Sequence, residues 1–448
     1  MSIQAIGTKI ISTLGNKESL LPIMIKDGVD STALTVKSFK EGGFVEGKDR
    51  FIDEFGTQAI WIGGIPLYKK IIDKTAYKLA NINPGVDPRI ISNPEYSAWA
   101  VNNAKGMMSN AKNQSVKNAI TDCLKDGGKL AKNLYKGKII AATALTLGTF
   151  FALTKTKQKN TKNSVLKTMN SEVNDTFVKT SVQEPAIFAS FGKITNPSSS
   201  NPSFKGAASK VVDAIMFNPV HNMKIIDAGI TAERLACSRN KTEFAEHAIK
   251  EGSFLFFLYG MGGMIENGIN KFSSKFLNKP IDLAIDVLMD DKFASALADG
   301  KKIASDVAMA PFKQGSLTEK LNFITNNPDN IVVQAAKKSG IVSTVKDKAG
   351  NVFVDTSKYI DMKAMEDLSK NLQNIDAKFK SSNESVKSFL NKSKALKVGS
   401  VMANIGISCL FLGYIVPKAV YKYREMKTGS TKFHVAEDIK SNNKKKDV

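Results

Sequence analysis

Residues 398–417 read VGSVMANIGISCLFLGYIVP, twenty positions without a charge held between Lys397 and Lys418. A bilayer core of about 30 Å takes about 20 apolar residues at ~1.5 Å each, so this stretch predicts a membrane-spanning helix. Three shorter apolar runs invite the same reading. Residues 139–154, IIAATALTLGTFFALT, lie between Lys138 and Lys155, and snorkelling lysines with local bilayer thinning can supply the missing length. Residues 252–265, GSFLFFLYGMGGMI, end at Glu266 and compete between a span and a buried helix. Residues 55–68, FGTQAIWIGGIPLY, contain Gly63, Gly64 and Pro66, each of which disturbs a helix.

The fold class expected is therefore all-α and integral to a membrane, with two to four transmembrane helices, helical soluble regions and one small β-hairpin at about 341–355. The domains follow the runs: a helical region 1–137, a span at 138–155, and a polar region 156–251 with a linker at 195–206. A span or buried helix at 252–270, a helical region 271–397, the span at 398–417 and a basic, disordered tail complete the chain. The mean hydropathy of −0.16 leaves most of the mass in water.

Lys plus Arg number 64 against 42 Asp plus Glu, a net charge of +22. That excess suits anionic lipid headgroups as a partner, whereas the scarcity of arginine argues against nucleic acid. The cluster from Lys418 to Lys444, Lys445 and Lys446 favours a cytosolic C-terminus. Residues 1–26 lack the uninterrupted apolar core of a secretory signal. The three cysteines, Cys123, Cys237 and Cys409, show neither a disulfide framework nor a zinc spacing.

Function is read from helix faces. Gly399, Ala403, Gly406 and Gly413 share one stripe, and Ala144, Gly148 and Ala152 form a second small-residue ladder. Such stripes are packing faces between helices in lipid, so intramolecular pairing or homo-oligomers are expected. Asn404 and Ser408 can add an interhelical hydrogen bond, and Glu266 is a possible intramembrane acid. From Met365 through Leu368, Leu372, Ile375, Phe379, Val386, Phe389 to Leu396 runs a narrow apolar seam, either coiled-coil-like or packed on its own domain with a break at Ser381-Ser382-Asn383. Asn327-Pro328 predicts a helix N-terminus, with Gly340 as its stop.

Catalytic chemistry finds no footing. Glu243, His247 and Glu251 share a helical face, but on one solvent-facing helix they cannot converge on a metal ion. Gly260, Gly262 and Gly263 lack the GxGxxG order, and the SxxK matches at Ser164–Lys167 and Ser190–Lys193 lack their companion elements. No cofactor is expected. The reading is a structural or interaction component of a membrane, with a transporter or channel as the alternative, then a membrane-inserting effector, and last an enzyme on an anchor.

Overall fold

The computed structural model describes residues 10–15, 19–106, 111–172, 219–279, 281–346 and 350–444. The described residues are mostly helical, with one two-stranded antiparallel sheet among them. It forms two compact units. Unit 1 comprises Met1–Ser19, Ile71–Lys138 and Met264–Asn404, and unit 2 comprises Leu20–Lys70, Ile139–Gly263 and Ile405–Val448.

Unit 1 follows the rules of a protein in water. Its interior is apolar, built on Trp99, Phe293, Phe312, Val332, Leu372 and Phe389. Several of its helices start on polar caps: Ser316 and Glu319 form a reciprocal capping box, and Asp361 accepts from the Lys363 and Ala364 amides. The apolar seam lies on the helix Met362–Lys380, where Met365, Leu368, Leu372 and Ile375 are buried in this same core. It is therefore no coiled coil. The chain breaks after Lys380 and resumes helical at Val386.

The hairpin falls where its residues predict it, with strands β1 (Thr344–Lys346) and β2 (Val352–Val354) pairing Val345 opposite Phe353. Its turn residues Asp347, Lys348 and Ala349 lie outside the described residues, as do the 195–206 linker and Ser190–Lys193. The helix before it starts three residues later than Asn327-Pro328 predicts. Asn330 is the cap, accepting from the Val332 amide, because its amide nitrogen also donates to the Asp306 carbonyl at 2.9 Å. Gly340 stops the helix at φ +81°, a conformation only glycine adopts cheaply.

Unit 2 is assembled from helices that carry the four apolar runs. The helices of the unit are α1 (Leu21–Glu41), α2 (Gly43–Ala59), α3 (Ile65–Ile72), α4 (Lys129–Glu172) from Ile139 onward, α5 (Pro219–Ala236), α6 (Lys241–Leu255), the last six residues of α7 (Val386–Leu410) from Ile405, α8 (Val416–Thr428) and α9 (His434–Lys444), the earlier residues of α4 and α7 belonging to unit 1. Three runs pass through a π turn: Ile60–Gly64, Phe256–Gly260 and Phe411–Ile415. In two of them the turn lies just ahead of a proline, Pro66 or Pro417. The widened turn takes up the backbone bond that the proline ring cannot make, so the glycines and proline of 55–68 do not end the helix there.

Helix α9 corrects the expectation of a disordered tail. Phe433 and Val435 at its start are buried, and His434 lies 3.2 Å from Asn240.

Among the described residues, two helical stretches, Ser115–Lys167 and Val386–Thr428, are long and apolar enough, by length and composition, to cross a membrane. Only 28% and 22% of their apolar windows are buried inside the fold. A core helix of a water-soluble protein would hide most of such a window.

Candidate functional site: a buried charge network

Along α2 the charged residues Glu46, Asp49, Arg50, Asp53 and Glu54 recur at helical spacing, and this is the face that α2 buries. Phe44 and Phe51, on the other side, are 75% and 50% exposed. Helix α6 repeats the arrangement: Glu243, Glu246, His247, Lys250 and Glu251 are buried while Phe244 is 48% exposed. These helices are amphipathic with the polar face inward. The expectation that Glu243, His247 and Glu251 face solvent is thereby corrected; all three are packed inside unit 2.

The network has three linked parts. Arg424 on α8, with no exposed surface, forks onto two carboxylates: its Nε and Nη2 donate to Glu246 at 2.7 Å, and its Nη1 and Nη2 donate to Glu46 at 2.7 and 2.8 Å. The Tyr421 hydroxyl lies 2.9 Å from both Glu46 and Ser38. Arg239 joins Asp49, at 3.2 Å, to Glu243, at 2.5 Å. Asp53 takes Lys157 at 3.3 Å and Arg234 at 3.5 Å, Arg234 also holds Glu251, and Lys250 bridges Glu251 at 3.2 Å and Glu54 at 2.5 Å. Bidentate guanidinium–carboxylate pairs of this kind fix geometry as well as charge, because both planar groups must align.

Sequence position explains why the charges meet. Residues 46–54 precede the run 55–68 and residues 243–251 precede 252–265, whereas Lys157 follows 139–154 and Arg424 follows 398–417. Two runs lead away from the network and two lead towards it. At the other end of unit 2 the interior is apolar, with Trp61, Ile65, Phe150, Ile226 and Leu258 in one cluster and Phe257, Leu412 and Val416 in another. The rings of Phe257 and Phe411 stack with centroids 4.5 Å apart.

Outside the four runs, the electrostatics show which pairs lock. Burial alone would push the Glu243 carboxyl up, but Arg239 and His247 outweigh it and hold it well below the carboxylate range. For Glu251, Arg234 and Lys250 overcome the same desolvation and bring it to about 2. His247 is moved the other way, chiefly by burial, towards the neutral form. A carboxyl depressed on folding contributes stability above its unfolded value that is lost as pH falls through its folded value. Thermal stability of the purified protein is expected to fall from about pH 4.5 towards pH 2, and Glu251→Gln should flatten that fall. A wild-type profile that is level across this window would contradict the pairing.

The predicted packing residues separate. Gly413 is in a close helix contact, where an added Cβ would stand 2.8 Å from Val29 of α1. Among the described residues a Cβ at Gly148, Gly399 or Gly406 would meet nothing within 4 Å, and Ala144 and Ala152 are exposed. Ala403 is half-buried. Ser408 is buried and donates at 3.4 Å to the Phe257 carbonyl, which lies in the Phe256–Gly260 π turn and also takes Lys26 at 3.5 Å. Glu266 pairs with Lys397 at 3.0 Å in unit 1, and Asn404 is half-buried. Among the described residues no group of three or more His, Cys, Asp or Glu is placed to hold a metal ion.

Sequence reasoning missed the network itself. Its signal is present as the 46, 49, 50, 53, 54 spacing on α2 and the 243, 246, 247, 250, 251 spacing on α6, both legible as charged stripes. No family model, no curated protein and no solved structure matches this chain.

Proposed function

We propose that the chain is a multi-pass integral membrane protein in which unit 2 is the embedded body, a structural or interaction component built around a locked charge network. The observation that carries this reading is the inversion of faces: Glu46 and Arg424 have no exposed surface while Leu145, Leu410, Phe51 and Phe44 are half-exposed or more. Burying ion pairs and exposing leucine is costly in water. It is the favourable arrangement where hydrocarbon surrounds the helices, since charged groups then gather inward and pair.

The outward small-residue faces, Ala144-Gly148-Ala152 and Gly399-Gly406, support association through close helix approach, with a second copy or another membrane protein as the partner. The lysine-rich surface favours anionic headgroups and the basic C-terminal segment a cytosolic placement. Nothing in the network requires catalysis, and the reading assigns no enzyme activity.

The test is carbonate extraction of expressing cells combined with reporter fusions after residues 100, 200, 330 and 448. The alternating direction of the four runs predicts resistance to extraction, with the reporters at 200 and 448 on the cytosolic side and those at 100 and 330 opposite. Release of the chain by carbonate, or four reporters on one side, would overturn the proposal. A proton- or ion-coupled transporter is the second reading, favoured by the acid-lined cavity between α1, α2, α5 and α6. It predicts flux in reconstituted vesicles where the structural reading predicts none.

A further inference from the structure

That cavity has a volume of about 20 Å³, room for about one water molecule. Its wall carries an imbalance of charge. Asp27 and Asp30 come from α1, Glu54 from α2, Asp227 from α5 and Glu251 from α6. Among the described residues that line the cavity, only Arg234 of α5 and Lys250 of α6 are basic.

The two bases are already engaged. Lys250 is shared between Glu54 and Glu251, and Arg234 between Asp53 and Glu251. Asp227 accepts a hydrogen bond from the Tyr259 hydroxyl. The Lys26 ammonium, on the same helix as Asp27 and Asp30, is drawn to the Phe257 carbonyl. Asp30 differs in its bonding. It is 1% exposed, and both of its carboxyl oxygens are buried without a hydrogen-bond partner among the described residues.

A carboxylate anion in that position would lose its hydration and gain no donor in return, a cost that buried ionised groups avoid by neutralising. The neutral acid differs in one respect that matters. Its O–H is itself a donor, and it can bond to a water in the cavity or to a neighbouring carboxylate such as Asp27. Divalent cations are a poor alternative, because no metal-holding group of acids is formed among the described residues and the cavity has space for about one water.

We propose that Asp30, with Asp27 and Asp227 beside it, is a proton-binding site: the native bundle holds a proton on Asp30 near neutral pH, and release of that proton destabilises the packing of α1 against α2 and α6. The inference stands on burial and charge balance inside unit 2 and does not depend on the membrane reading. The sign is fixed by linkage. A group that binds its proton more tightly in the folded state contributes stability at low pH, which is lost as pH rises from the ordinary carboxylate range to the folded value.

The experiment uses the purified full-length chain and two readouts. Infrared difference spectra of the wild type between about pH 6 and pH 10 should contain a protonated-carboxyl stretch that shifts in heavy water and disappears at the alkaline end. In Asp30→Asn, where a neutral amide of the same shape replaces the acid, that band should be missing. The melting temperature of Asp30→Asn minus that of the wild type should widen with rising pH by roughly 5 °C or more. If Asp30→Asn does not fold, the wild-type spectrum decides alone, and the lack of a titrating carboxyl band overturns the proposal. So does a band unchanged in Asp30→Asn, a melting gap that is constant with pH, or stability that follows sodium concentration at fixed pH.

Discussion

Replacing Arg424 with alanine is expected to destabilise unit 2 by about 3–5 kcal/mol, because it leaves Glu46 and Glu246 buried with their shared partner removed. Neither carboxylate has another route to water: they are 0% and 1% exposed. Arg50 lies 3.7 Å from Glu246 and compensates one of them in part, and the Tyr421 hydroxyl remains on Glu46. Arg424→Lys should recover only a fraction, since a single ammonium cannot form two parallel forks at once. Changing Arg424, Glu46 and Glu246 together to apolar residues of similar volume should cost less than Arg424→Ala only if Arg50, which is 5% exposed and lies 3.7 Å from Glu246, is made apolar with them, since the triple change alone strands that guanidinium. Thermal unfolding in detergent measures all three. An Arg424→Ala protein within ~1 kcal/mol of wild type would mean that water reaches these carboxylates, and the network would lose its role as the interior of the bundle.

The apolar runs, the hairpin and the seam from Met365 to Phe389 were legible in the sequence because each depends on a local pattern that composition alone displays. What lay beyond reach was the sign of the amphipathic faces. On α2, Phe44 and Phe51 alternate with Glu46, Asp49, Arg50 and Asp53 in a way that fixes two faces but not which one turns inward. That choice belongs to the surrounding solvent and to partners from distant segments, Lys157, Arg234, Arg239, Lys250 and Arg424, that only the fold assembles. Reading α6 as solvent-facing followed the habit of water-soluble proteins, and the same habit made the segment around His434 a tail. The start of the helix at Ile331 was lost for a related reason: Asn327 and Asn330 are both competent caps, and the Asp306 carbonyl, a tertiary partner, selects the second.

Leu145→Asp and Leu410→Asp decide between the two solvents, because the expected results differ in sign. Leu145 is 50% exposed on α4 and Leu410 is 56% exposed on α7. If water surrounds them, exchanging an exposed leucine for aspartate changes stability by no more than about 0.5 kcal/mol and improves solubility. If hydrocarbon surrounds them, a carboxylate in mid-span costs about 2.5–3.5 kcal/mol, so the carbonate-resistant fraction should fall by roughly 10²-fold in its insertion equilibrium. The double variant should add the two costs, since the residues lie on separate helices. Phe293→Ala, in the apolar interior of unit 1, supplies the contrast: it should lower thermal stability without altering extraction, because its ring is buried inside the fold at 1% exposure. A Leu145→Asp, Leu410→Asp protein that is monodisperse in plain buffer and as stable as the wild type would turn the faces the other way. Unit 2 would then be a water-soluble bundle that stores charge in its interior and tolerates leucine on its surface, and the small-residue ladders would have no lipid in which to act.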